Sequence, residues 1–168
     1  ETLETLGFSP AFSDMGFVTV IIDGRGTPLR GKAYHDYGYN NMGDCAGLSD
    51  RAAVLENLCK RYSFLDRERC GVWGHSGGGF ATLHALCKYP DLYKVGQEIY
   101  SAEWSERYMG KFDRELWEAQ NAEYLVDQLE GKLLLIHGEL DDNVHPASTM
   151  RVVDALIKAD KDFDMLIM

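Results

Sequence analysis

The sequence predicts an α/β fold, a mostly parallel sheet with helices on both faces, and three observations carry that expectation. Apolar runs of strand length alternate along the chain with amphipathic stretches of helical period. The first run, Phe17-Val-Thr-Val-Ile-Ile22, is continuous and β-branched, the pattern of a strand buried on both faces. The third observation is a junction, where Cys70-Gly71-Val72-Trp73 passes through Gly74-His75-Ser76-Gly77-Gly78 straight into a helix.

That junction has the form of a nucleophile elbow. A serine on a sharp strand-to-helix turn is exposed and strained, and side chains two residues before and after it would crowd the turn. Gly74 and Gly78 occupy those positions. The following helix aims its unpaired N–H groups and positive dipole end at an oxyanion formed near Ser76, with Gly77 as one donor. A bare G-x-S-x-G also arises by chance in flexible loops. Here a strand precedes it, and Phe80, Leu83, Cys87 and the stop at Pro90 define the helix after it.

In chain order, residues 1–16 carry scattered apolar positions, with Pro10 able to open a short helix. After the run 17–22, residues 24–43 form a long loop rich in glycine and tyrosine, a length that is uncommon without a function. Gly24-Arg25-Gly26 does not make a phosphate loop, because it lacks the third glycine of a dinucleotide fingerprint and the Gly-Lys-Ser/Thr of a P-loop. Leu48, Ala52, Leu55, Cys59 and Tyr62 recur at helical spacing and predict a helix from about Leu48 to Arg61.

Tyr93-Lys-Val95 begins the strand after the nucleophile helix, and Gly96-Gln97-Glu98 is expected to cut it short. Residues 100–130 read as a helical excursion in which Phe112, Trp117 and Tyr124 pack on the sheet. Tyr100, Trp104 and Tyr108 share one helical face and can wall a pocket, and Gly131 closes the region as a helix C-cap. Lys132-Leu-Leu-Leu-Ile-His137 is the next buried strand. Pro146 opens an amphipathic helix through Ile157, and Asp162–Met168 is the final strand.

Composition narrows the function. The 168 residues are 45% hydrophobic and 26% charged, ordinary for one globular domain. A formal charge of −10 argues against nucleic acid or an anionic membrane surface as the main partner. No run approaches membrane-spanning length. The four cysteines lack C-x-x-C spacing and read as small core residues; no motif points to a metal or a cofactor. Glu1-Thr-Leu-Glu-Thr is neither a start nor a signal peptide, so the chain is expected to be a piece of a longer one.

A serine hydroxyl needs a base to take its proton and a carboxylate to orient that base. On this kind of fold the order is Ser, Asp, His. Ser76 and either Asp141 or Asp142 fit. His35, His75, His84 and His137 precede the acids, and His145 shares their short loop, so the base is missing from the pattern. His84 and His137 read as satisfied structural histidines.

At this point the residues resemble a known family. Asp23-Gly-Arg-Gly-Thr27, Gly74-His-Ser-Gly-Gly-Gly79, Glu106-Arg-Tyr-Met-Gly110 and His137-Gly-Glu-Leu-Asp-Asp-Asn-Val-His145 together look like the catalytic domain of the prolyl oligopeptidase family, in its dipeptidyl peptidase IV branch. The resemblance implies an α/β-hydrolase fold, here a partial domain truncated at both ends. It implies Ser76 as nucleophile, Asp141 as triad acid, Gly77 as an oxyanion donor, and Asn143, Val144, Tyr100 and Trp104 as substrate-binding residues. It implies a base histidine a few residues beyond Met168, a second oxyanion donor and a β-propeller before Glu1, a peptide substrate, and possible homodimers acting outside the cytoplasm.

The activity so implied is release of X-Pro or X-Ala dipeptides from peptide amino termini by acyl transfer through Ser76. Because fold does not fix substrate, an esterase or acylaminoacyl hydrolase is the alternative within enzymes. A catalytically dead binding or dimerisation domain is the alternative outside them.

Overall fold

The protein is described as a computed structural model, which covers residues 9–45, 47–99 and 111–168. One parallel sheet organises it. Its strands are β1 (Cys70–His75), β2 (Tyr93–Ile99), β3 (Lys132–His137) and β4 (Phe163–Ile167), side by side in that order. Parallel neighbours cannot be joined by a hairpin, so helices make the crossings. Helix α4 (Gly77–Lys88) returns from β1 to β2, and α6 (Ala147–Lys158) from β3 to β4. Among the described residues three α-helices precede the sheet, α1 (Ser9–Asp14), α2 (Lys32–Asp36) and α3 (Leu48–Arg61); α5 (Arg114–Gln120) lies between β2 and β3.

The core sits where α4 and α6 meet the sheet. Leu83 and Leu86 of α4, Leu133 and Leu135 of β3, and Val152 and Leu156 of α6 are all buried in one cluster. Gly96 shows how close the layers are. A Cβ there would lie 2.6 Å from Leu86 Cδ1 and 2.9 Å from Thr82 Cγ2, so a larger residue would have to push those two side chains aside for α4 to stay on β2. The expected early stop at Gly96 is therefore corrected: β2 runs on to Ile99, and the glycine serves packing.

Other expectations are corrected too. The run Phe17–Ile22 is not a strand. It has no ladder partner among the described residues, and Phe17, Val18 and Ile21 are exposed. β-Branched residues favour a pleated surface only when neighbouring strands supply hydrogen bonds and cover. The sheet's β1 edge is correspondingly open, with Trp73 41% exposed and touched by Phe12 at 5.8 Å between ring centroids.

Gly131 is not a helix cap: α5 ends at Gln120, and the last 3-10 turn before the glycine, Val126–Gln128, is capped by Leu129. A Cβ on Gly131 would meet the Lys94 carbonyl at 2.9 Å, so it too serves close approach. Phe112, Trp117 and Tyr124 stack on one another rather than lying buried on the sheet; Phe112 and Tyr124 are exposed. Of the cysteines only Cys87 is fully buried.

His84 departs from expectation in an instructive way. It is wholly buried on α4 against Phe80, yet neither ring nitrogen has a hydrogen-bond partner among the described residues. Burial first, then the Lys88 ammonium one turn along, pushes its pKa down from 6.5 to about 3. The Gln120 and Gly43 backbone opposes this without reaching good hydrogen-bond geometry. A pKa lower in the folded than in the unfolded chain means stability present above about pH 6.5 and lost as pH falls towards 3.

The loss is about 1.4 kcal/mol per pH unit in that window, so about 2 kcal/mol by pH 5, or about 4–8 °C in Tm for a chain of this size. His84→Leu removes the group that must charge. Thermal melts at pH 7 and pH 5 should show that acid-side drop in the parent and a smaller one in the variant. Equal drops would rule out His84 as the cause.

Candidate active site

The strand-to-helix turn is built by one backbone contact. A Cβ on Gly74 would lie 2.1 Å from the Gly78 carbonyl oxygen and 2.2 Å from its carbon, so β1 can fold back into α4 only with glycine at 74. Between them Ser76 sits at φ 56°, ψ −121°, a conformation that L residues avoid. Such strain persists where the surroundings over-determine it. Gly78 has a different role from the expected one: a Cβ there, or on Gly77, meets no described atom within 4 Å. The crowding is one-sided, with the Gly78 backbone pressing on Gly74.

Ser76 is the N-cap of α4 and makes no side-chain capping bond, so its hydroxyl does not occupy the helix's first N–H groups. Those groups, Gly77 N–H first, stay open to a ligand oxygen. The Gly78 carbonyl accepts from Thr82 Oγ1 at 2.9 Å, which fastens the first turn from inside.

The acid lies on the loop after β3. Asp141 Oδ1 accepts from the Val144 N–H at 2.8 Å and the Asn143 N–H at 3.0 Å. These bonds, the Val144 one first, hold its carboxyl below the usual range despite some desolvation; His137 and His75 contribute further. Oδ2 is 4.0 Å from His137 Nε2. Asp142 is exposed, so of the two acids the loop organises itself around Asp141.

His137 ends β3 and is fully buried. Its Nε2 is 2.9 Å from the Val144 carbonyl, which can only accept, so Nε2 carries the proton. Nδ1 is hydrogen-bonded to Thr149 Oγ1 at 2.7 Å. The ring is a bracket between the acid loop and α6, the satisfied structural histidine that the sequence suggested. His145 Nδ1 accepts from the Ala147 N–H at 3.1 Å and so caps α6.

Because β1, β2 and β3 are parallel, Ser76 and Asp141 leave the sheet at the same end. Two inter-strand steps of about 4.8 Å each separate the strands that carry them. Asn143 is exposed on the same loop, while Val144 is buried, with its carbonyl committed to His137. Tyr100 and Trp104 lie outside the described residues. Sequence reasoning missed Thr149, whose contact with His137 has no periodic signature. It also missed the clamp on the loop after residue 22, where Arg25 grips Asp50 through its backbone N–H at 2.8 Å and its guanidinium at 2.7 Å and stacks on Tyr37.

A family model, the prolyl oligopeptidase family, matches residues 6–168. The chain belongs to that family. It is 34% identical over 92% of its length to dipeptidyl peptidase 8 of Homo sapiens, and 33% identical over 92% to prolyl endopeptidase FAP of Mus musculus. It covers 19% and 22% of those proteins, about a fifth of each. Among solved structures, the dipeptidyl peptidase 4 of Porphyromonas gingivalis superposes with a TM-score of 0.76 at 32% identity, covering 86% of this chain and 22% of that one. The fold is that of the α/β-hydrolase catalytic domains of these peptidases, and among the described residues no helix is long and apolar enough to cross a membrane.

The asymmetry at the elbow gives a matched pair of variants. Gly74→Ala drives a methyl group into backbone and should cost about 2–4 kcal/mol, in the range of severe packing clashes. Gly77→Ala meets open space and replaces glycine at a helix start, so its stability should stay level or rise by up to about 1 kcal/mol. Urea unfolding of both measures this, and equal costs would mean that the Gly74–Gly78 contact does not constrain the turn.

Proposed function

We propose that the protein is a serine peptidase of the dipeptidyl peptidase type, cleaving X-Pro or X-Ala dipeptides from peptide amino termini. The observation that carries this reading is the strained Ser76 at a turn only Gly74 permits, beside an open helix N-terminus. In this reading Ser76 Oγ attacks the scissile carbonyl and passes its proton to a histidine. The oxyanion forms against Gly77 N–H, and Asp141 orients the imidazolium and stabilises it. The imidazolium gives that proton to the leaving amine as the peptide bond breaks, and water, deprotonated by the same histidine, then attacks the acyl-enzyme to release the dipeptide and restore Ser76.

The base is assigned to a histidine that follows β4 in the full-length protein. In support, the Met168 N–H donates to the His137 carbonyl at 3.0 Å and the Glu139 N–H donates to the Met168 carbonyl at 2.7 Å. The end of β4 therefore runs beside the acid loop. The domain assigned to residues 1–168 is accordingly one part of a catalytic domain whose triad is completed by flanking chain. Asn143 and Val144 are assigned to the substrate's backbone and to the pocket for the residue before the scissile bond, with Tyr100 and Trp104 as its other wall. Resemblance to proteins named dipeptidyl peptidase 8 and dipeptidyl peptidase 4 supports the substrate class.

The test uses the full-length gene product and a Gly-Pro-linked chromogenic substrate. Ser76→Ala should lower kcat by at least about 10⁴-fold, leaving only the residual catalysis expected without the nucleophile. Unchanged turnover would exclude the mechanism. Hydrolysis of short acyl esters with no action on X-Pro amides would retain Ser76 chemistry and reassign the substrate to esters.

A further inference from the structure

The first turn of α6 buries a hydroxyl. Thr149 is fully buried and shares a helical face with Val152 and Leu156, which anchor α6 in the hydrophobic cluster. Its Oγ1 is 2.7 Å from His137 Nδ1. From there an unbroken line of hydrogen bonds leads to the acid. His137 Nε2–H donates to the Val144 carbonyl at 2.9 Å, and the Val144 N–H donates to Asp141 Oδ1 at 2.8 Å.

We propose that Thr149 is a positioning residue for Asp141, acting through His137 and Val144. This role rests on the serine-peptidase reading, in which Asp141 orients the base. A carboxylate carried on a loop is held less precisely than one on a strand or helix, so it needs a rigid reference. The face of α6 packed in the core supplies that reference. The carbonyl and the N–H of Val144 lie on opposite sides of its Cα, so His137 and Asp141 together hold its φ and ψ. The start of the loop is tied separately, by the Glu139 N–H donating to the Met168 carbonyl at 2.7 Å.

Without Oγ1, the buried Nδ1 edge of His137 loses its partner, and the ring can regain one only by turning away from the Val144 carbonyl. The loop then carries Asp141 out of line. Misplacing a catalytic group by about 1 Å costs on the order of 10²-fold in rate.

The experiment measures steady-state cleavage of a Gly-Pro-linked chromogenic substrate by the full-length protein. Thr149→Val replaces the hydroxyl with a methyl group of similar size. It should lower kcat by about 10- to 100-fold and change KM by less than about 3-fold, because Asp141 acts on the transition state. Thr149→Ser restores the hydroxyl and should keep kcat within about 2-fold of the parent. In an Asp141→Asn background, Thr149→Val should lower kcat by no more than about 2-fold further, since the acid it positions is gone. Should the valine variant fail to fold, Thr149→Ala removes the same hydroxyl without adding bulk and is read in the same way. An unchanged kcat in the variant lacking the hydroxyl, a serine variant as slow as it, or a full additional loss beside Asp141→Asn would each overturn the proposal while leaving the peptidase reading intact. Turnover that survives Ser76→Ala would strike that reading itself, and this role with it.

Discussion

The contact between Gly74 and the Gly78 carbonyl is the constraint on which the rest of this domain depends. It forces the chain to turn from strand to helix within the span of Ser76, and Ser76 takes up the cost in its positive φ. The same carbonyl is held by Thr82, and the other face of that residue's contacts is Gly96 of β2. A single line of close approaches thus runs from the elbow through the first turn of α4 to the centre of the sheet. Because helix and sheet are locked along it, the strained serine cannot relax without unpacking the core around Leu83 and Leu86.

The acid loop depends on a different device. Asp141 is turned back onto its own loop by two backbone N–H groups, and that loop is pinned from below by His137. The tautomer of His137 follows from its partners, since the Val144 carbonyl demands a proton on Nε2. Thr149 Oγ1 at Nδ1 fixes the ring's other edge, so the ring is held on both sides. One Asp141 oxygen is saturated by the loop, which leaves Oδ2 the better placed to receive an N–H from a triad base.

Much of this was legible in the sequence, and what was not has physical causes. Helix α3 and strand β3 fall where periodicity put them, since each buries one clear stripe or alternates cleanly. The elbow was legible because a chemical constraint shows itself as glycine at a fixed offset from serine. Glycine also misled at Gly96 and Gly131, because a glycine demanded by a neighbour's approach is indistinguishable in sequence from one that ends an element. The run Phe17–Ile22 misled for the opposite reason. Its composition states a preference for a sheet interior, but pairing is a property of neighbours, which no local pattern contains.

The histidines close the argument about the base. All five lie among the described residues. His84 is wholly buried on α4 against Phe80. His137 has both nitrogens engaged below the acid, and His145 spends Nδ1 capping α6. His35, on α2, packs edge-on against Tyr39. His75 precedes the nucleophile on β1's exposed face, where a side chain points away from the one that follows it round the turn. In the proposed mechanism the base between Ser76 and Asp141 comes from another strand end, and the end of β4 is the one whose Met168 bonds to His137 and Glu139 beside the acid loop.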